Sequence, residues 1–344
     1  MAAPAIAQSL PEIRWRLQSV VPKSVDVIFG TLERFSQSVA AATDGRFKIQ
    51  VYAAGEIVGP LAALDAASNG TVEAAHSAFS YSFGKAPAFA IMSYLPFGFN
   101  ARSHNAWLFE GGGNELVNTI ARKHNLYALP GGNTGEQMGG WFRREIKSLA
   151  DIKGLRFRIP GLGGEIFSRM GATPQLIPAS DVYPSLERGT IDGAEFLGPH
   201  DDEKMGLGKV APFYHYPSFW ESSSVVHLMM NLQKWEELPK LYKDAVALAA
   251  TDAHVRMLMR YDMVNPAALR RIIASGAQLR PFPQDVFDAG QAIANDLYKE
   301  YSARDPDFKA IYDSQAAVKD DMFVWHQIAE SSYTNMAARA RGRR

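Results

Sequence analysis

Three side chains in this sequence invite chemistry before any element is assigned. Arg158 lies in Leu155 to Ile159, a run that alternates apolar and basic residues, Glu195 lies in the run Thr190 to Phe196, and Glu221 directly follows the aromatic stretch FYHYPSFW. An arginine within an apolar strand is costly to bury unless an anion meets it, and its planar fork fits a carboxylate with two parallel hydrogen bonds. Two readings stand: Arg158 receives a ligand carboxylate, or it is held in a structural ion pair, with Glu195 as a candidate partner. A carboxylate flanked by as much aromatic surface as Glu221 is either solvated at a rim or occupied. The segment PHDDEKMG, Pro199 to Gly206, has the residue types of a metal cluster. Proline at a first helical position, followed by Asp201, Asp202 and Glu203, also complements a helix dipole, and that plainer role is the expectation.

The chemistry is bounded from outside as well. With 344 residues the chain is long enough for two core-forming lobes. It carries 36 basic and 36 acidic residues, a balance that argues against a nucleic-acid surface, and its aromatic residues are not interleaved with basic runs. Without cysteine there is no disulfide, no thiolate metal site and no cysteine nucleophile. An oxo-acid lyase or hydrolase using Arg158, the two glutamates and some of eight histidines is the enzyme alternative. Its motifs are missing: no HExxH, GxSxG or Walker loop occurs, and Gly161 to Ile166 departs from the dinucleotide fingerprint because Ile166 takes the place of its third glycine. Met1-AAPAIAQ carries a small-x-small site at Ala5 to Ala7, which reads as the remnant of an export signal over residues 1–11.

The elements that must position these residues alternate between strand and helix. Phe157 to Phe196 reads as strand, helix, strand, helix, strand, with a helix N-cap at Ser180 or Asp181 and an end at Gly189. Such units give parallel strands and a ligand crevice beyond their carboxyl ends, where Arg158 and Glu195 would meet. Upstream, Glu12 to Val20 alternates as a strand, Ser24 caps a helix with Val27, Leu32, Phe35 and Val39 inward, and Lys48 to Ala53 and Val72 to Phe79 are further strands. Ser103 caps a helix toward His124 that Gly111-Gly112-Gly113 should break, since each glycine costs about 1 kcal/mol relative to alanine. The glycine-rich GGNTGEQMGGW, Gly131 to Trp141, reads as a crossing between lobes. Val225 to Met230 is a strand returning to the first lobe. From Pro239 a helix of more than thirty residues, about 50 Å long, can span both lobes. The tail Gln315 to Arg339 is helical, with Val318, Met322, Trp325, Ile328 and Met336 in one stripe that packs into the core or onto a second subunit.

In GEQMGGWFRREI, LRFRIPG, DVYPSLERGTIDGAEFLGPHDDEK and the FWE of Phe219 to Glu221, in that order, the sequence resembles the periplasmic solute-binding proteins of TRAP transporters, in the branch of 2-oxo-acid and lactate binders. The resemblance implies an α/β fold of the two-lobed periplasmic binding protein type, with a hinge between the lobes and a long helix spanning both. Residues 12–138 with 223–265 would form lobe one, 139–222 with 266–312 lobe two, and 313–344 a C-terminal helix that serves a homodimer. It implies a non-catalytic receptor that closes around a small organic acid, a 2-oxo acid such as pyruvate or a 2-hydroxy acid such as lactate, and delivers it to membrane permease subunits. Carried over by position, Arg158 forks onto the substrate carboxylate and Gln137 contacts both substrate and a cation. Glu195, the Phe196 carbonyl and Glu221 complete the cation site, while Glu195, Phe196 and Trp220 also face the substrate. An all-oxygen set of this kind suits Na⁺ or Ca²⁺, and no organic cofactor is implied. The branch usually has tryptophan where this chain has Phe196, which widens the substrate range toward larger or aromatic monocarboxylates.

Overall fold

A computed structural model describes residues 10–341; the export-signal reading falls mostly on residues 1–9, outside the described residues. Among the described residues the chain builds two sheets. The first has the order β2-β1-β3-β10-β4, from Ile13–Ser19 (β1), Phe47–Tyr52 (β2), Ala74–Ser77 (β3), Leu126–Asn133 (β4) and Val225–Asn231 (β10). The second has the order β11-β9-β5-β8-β6-β7. It is made of Gly140–Phe142 (β5), Arg156–Arg158 (β6), Thr173–Gln175 (β7), Gly193–Ala194 (β8), Phe213–Tyr216 (β9) and Gln278–Pro281 (β11).

The side-chain pattern explains these pairings. In β1, Trp15 and Leu17 point into the core while Arg14 and Arg16 point out, and Arg16 is tied to Glu73 through its backbone N–H and guanidinium. β1 runs parallel to β2 and β3, and the helix Asp26–Ala42 covers them with Leu32, Phe35 and Val39. β10 is buried along its whole length and lies antiparallel between β3 and β4, as a near-continuous apolar run should. In the second sheet β6 is parallel to both β7 and β8, which puts Arg158 opposite Gln175 and Ala194. β5 is antiparallel to β8 and β9, so the sheets are mixed rather than purely parallel.

Core packing ties the sheets together. Lobe two has its own aromatic core of Phe142, Phe157, Phe167, Phe219, Trp220 and Phe282. A further cluster joins Val20, Ile28 and Val226 beside the first sheet to Ala194, Phe196 and Leu197 beside the second, so the cleft between the sheets is closed. The helix Lys240–Ala274, 35 residues long, packs on β4 and Asp26–Ala42 and also on the short helix Pro199–Lys204. It is the expected spine, about 50 Å long.

Several local expectations shift. The first helix starts at Asp26, behind Val25 and not Ser24, without a side-chain cap. The helix Ala101–Glu110 is capped by Asn100, whose side chain accepts from Ser103 N–H at 2.8 Å, so Ser103 lies one turn inside. The glycine break is present: Gly112 is left-handed at φ 75°, and a Cβ on Gly113 would stand 2.7 Å from the Trp107 ring. The helix Ala179–Glu187 begins behind Pro178 rather than at Ser180, because Pro178 already has an extended backbone that enters the first turn. The run from Thr190 shortens to the two residues of β8. The tail is Pro306–His326, a π-helical turn Gln327–Ser331, and Ser332–Arg341, with Asp305 capping its start. Of its stripe only Val318 and Met322 pack on the core, whereas Trp325, Ile328 and Met336 are exposed.

Candidate functional site

The site lies where the chain crosses between sheets. The crossing after β4 and the one before β10 run side by side: Thr134 N–H donates to the Ser224 carbonyl at 3.0 Å and Gln137 N–H to the Ser222 carbonyl at 2.7 Å. This ladder holds Gln137 beside Glu221. Gln137 Nε2 reaches Glu221 Oε1 at 3.3 Å and Thr134 Oγ1 at 3.0 Å. From lobe two, the parallel pairing of β6 with β8 brings Arg158 alongside Glu195, whose backbone N–H donates to the Arg158 carbonyl at 3.1 Å.

Arg158 is buried to 1 % exposure, and so is Glu195. Nη1 donates to the Glu195 carbonyl at 2.7 Å and to Glu195 Oε1, and Nε donates to the Ile177 carbonyl at 3.1 Å. Nη2 has only a long contact, 3.5 Å, with the Tyr81 hydroxyl, which leaves that edge of the fork the least engaged. The guanidinium carbon lies 5.6 Å from the centre of the Phe196 ring. The ion pair considered as the structural role of Arg158 is thus present, and Nη2 is the guanidinium nitrogen without a short partner.

Burial pushes both carboxyls up. Glu195 rises well above the usual carboxylate range because it is desolvated, with Arg158 pulling it back and Glu221 raising it further. Glu221 is pushed up to about 7 by burial, opposed by Ser224, Arg158 and Gln137. Two such carboxyls so placed are expensive to ionise without a cation. Three oxygens within this group, Gln137 Oε1, Glu195 Oε2 and Glu221 Oε2, are buried and have no hydrogen-bond partner. Unsatisfied acceptors of this kind, all oxygen, are the donor set of a hard cation, so the residues present fit one.

Beside these atoms lies a small cavity of about 30 Å³. One wall is apolar, with Val20, Val21, Ile28, Phe196 and Val226; the other carries Ser80, Tyr81, Thr134, Glu195, Glu221 and Ser224. Trp220, expected to face the substrate, is instead fully buried in the aromatic core of lobe two, against Phe157 and Phe167 at 5.9 and 4.9 Å. Its indole fills the space that Gly163 leaves open. Sequence reasoning missed Tyr81, Thr134 and Ser224. Thr134 sits inside the glycine-rich GGNTGEQMGGW, the segment read as a crossing between lobes.

Residues 18–305 match the model of the DctP family, described as bacterial extracellular solute-binding protein, family 7. The chain is 43 % identical, over 97 % of its length and 92 % of the relative's, to the monocarboxylate 2-oxoacid-binding periplasmic protein of a Nostoc species. A TRAP transporter solute-binding protein of Bordetella bronchiseptica is 44 % identical with a TM-score of 0.95, covering 97 % of this chain and 99 % of that one; its crystal holds a mixed-occupancy dimer with copurified calcium and picolinate in one site. A TRAP periplasmic solute-binding protein of Pseudoalteromonas atlantica, solved with sodium and pyruvate, is 32 % identical with a TM-score of 0.91, covering 94 % of this chain and 99 % of that one. The chain belongs to the bacterial extracellular solute-binding proteins of family 7, the DctP family, and is a periplasmic solute receptor of the TRAP type.

Proposed function

We propose that this receptor binds a small 2-oxo monocarboxylate of the pyruvate class, with 2-hydroxy acids such as lactate as its nearest analogues, together with Na⁺ or Ca²⁺. The observation that carries the reading is the set of three unpartnered buried oxygens on Gln137, Glu195 and Glu221, close to Arg158 and to the cavity that Glu195 and Glu221 line. In this reading the outer edge of Arg158 receives the ligand carboxylate, and Gln137, Glu195, Glu221 and the Phe196 carbonyl hold the cation. The cation supplies positive charge between protein carboxylates and ligand oxygens, offsetting their mutual repulsion. Tyr81 donates toward the same anion, and Phe196 forms part of the wall. The 2-oxo acid relative and the pyruvate-bound neighbour support this substrate class.

A second ligand class is favoured by one specific observation: the neighbour holding picolinate shares 44 % identity, and the apolar wall of Val20, Val21, Ile28 and Phe196 suits a flat ring. In either case the role is non-catalytic, as expected of a receptor that hands its ligand to membrane permease subunits. The two moving bodies are residues 12–138 with 223–265 and residues 139–222 with 266–312. The exposed Phe323, Trp325, Ile328 and Met336 of the tail form a dimer contact, a reading the dimeric neighbour supports.

A thermal-shift panel of 2-oxo, 2-hydroxy and aromatic acids, each with Na⁺, Ca²⁺ or a chelator, tests the reading. Pyruvate-class acids should raise the melting temperature only when a cation is present. Stabilisation by none of them, or by all equally in chelator, overturns it; recovery of a chemically altered acid after denaturation overturns the non-catalytic role.

A further inference from the structure

The segment PHDDEKMG is not used by the ligand site, and its aspartates are not solvated first-turn charges. Asp201 and Asp202 are each 1 % exposed. Asp202 is satisfied, accepting from Trp141 Nε1 at 3.0 Å and the Tyr214 hydroxyl at 2.7 Å. Asp201 is not: neither of its carboxylate oxygens has a hydrogen bond of ordinary geometry, although the Tyr261 hydroxyl faces it from the spine helix. One ligand atom each from Asp201, His200 and Asp26 lie within 4.8 Å of one another. Asp26 follows β1 in lobe one, whereas His200 and Asp201 follow β8 in lobe two, so the cluster bridges the cleft at its rim.

We propose that Asp26, His200 and Asp201 form a second metal site, for a divalent transition metal of the zinc class, that links the two lobes in the closed form. Imidazole nitrogen and carboxylate oxygen are both zinc ligands, and three protein ligands leave a fourth position for water. The imidazole distinguishes it from the all-oxygen group at Glu195 and Glu221, which favours hard cations. Burial grades from Asp201 outward through His200 to the exposed Asp26, which gives an ion a route in. Within the cluster, His200 Nε2 lies 2.9 Å from Asp26 Oδ1, and Lys204 Nζ lies 2.6 Å from the same oxygen. Lys204 is 40 % exposed on a flexible stem, so it can swing away when a metal takes its place. His200 is steadied for this role by its backbone, whose N–H donates to Asn265 Oδ1 at 3.0 Å. A metal there adds a cross-lobe bond that only the closed form can make.

The test uses the tag-free full chain carrying Glu221→Gln, which disables the cleft cation site, and titrates it with Zn²⁺ by calorimetry and with Co²⁺ by visible absorption. One metal per chain should bind, with the intense d–d bands of a tetrahedral Co²⁺ centre. His200→Phe and Asp201→Asn should each weaken binding at least tenfold, and Lys204→Met should strengthen it. In chains with Glu221 intact, saturating Zn²⁺ should slow pyruvate dissociation severalfold, and His200→Phe should abolish that slowing. Zn²⁺ affinity that is unchanged by His200→Phe, or absent from both the parent and Lys204→Met, overturns the proposal. If Asp201→Asn lowers the melting temperature while Zn²⁺ binding persists, Asp201 serves only its contact with Tyr261 and the proposal fails as well.

Discussion

Arg158→Lys separates the two duties of the arginine better than deletion does. Arg158 both neutralises the buried Glu195 and presents its outer edge toward Tyr81. Alanine would strand a buried carboxylate and cost about 3 to 5 kcal/mol in stability and binding together. Lysine keeps the charge but not the fork. Its melting temperature is therefore expected to stay within a few degrees of the parent, while affinity for pyruvate falls on the order of a hundredfold, about 2.7 kcal/mol, in a calorimetric titration. A matching loss of stability with affinity intact would make Arg158 a brace only. Glu221 offers a pH signature. Its folded-state value of about 7 lies above the ordinary 4.5, so its stabilising contribution is present below the unfolded value and is lost as pH rises through about 7. Glu221→Gln in chelator should therefore melt higher than the parent by a margin that is small at pH 5 and grows toward pH 8, while Ca²⁺ binding is lost; a pH-independent margin would contradict the buried-carboxyl account. At this scale the sequence made Arg158, Glu195 and Glu221 legible, because a charge inside an apolar run is visible without coordinates. It could not show that Trp220 turns into the core behind Gly163, since which way a residue in the connection between β9 and β10 faces depends on what packs across from it.

Among the elements, the glycine-rich crossing does more than flex. Gly140 has φ +100°, and a Cβ there would stand 2.7 Å from the Ala194 carbonyl and 2.9 Å from Glu195 Cα. The glycine thus lets β5 lie close enough to β8 to set Glu195 in place. Gly140→Ala is expected to lose on the order of 2 to 4 kcal/mol in denaturant unfolding, from left-handed strain plus backbone overlap, and to weaken ligand binding beyond that of a remote variant of equal stability. Wild-type stability in Gly140→Ala would show that the contact is slack. Long, strongly patterned elements were readable: β1, β10 and the spine helix fall within a residue or two of expectation because burial on a fixed period leaves little choice. The short strands of the second sheet were not. β8 has two residues and β7 three, and such strands exist only because their neighbours fix them. Caps failed for a related reason, since Asn100 and Ser103 are both competent and only the chain's entry angle selects between them.

For the molecule as a whole, the packing of Val20 and Ile28 against Phe196 and Leu197 shows lobes that meet over the cavity, so entry of any ligand requires them to part. The tail is the other molecular-scale feature. Its exposed Trp325 and Ile328, at 59 % and 64 % exposure, form an apolar face too large to leave in water without cost. Truncation after Ala316 should turn a dimeric sedimentation coefficient into a monomeric one, and a coefficient that reports the same state before and after would remove the tail from any assembly. The alternating pattern predicted two α/β lobes and a spine from sequence alone, but not the closed cleft, which is a matter of which surfaces touch. The central claim is that a carboxylate ligand and a cation share the group formed by Arg158, Gln137, Glu195 and Glu221. A crystal structure of the chain grown with pyruvate and Ca²⁺ tests it most directly. The account predicts the pyruvate carboxylate on the outer edge of Arg158 and calcium density on the oxygens of Gln137, Glu195 and Glu221. Pyruvate bound elsewhere, or bound there with those three oxygens still unpartnered, would contradict it.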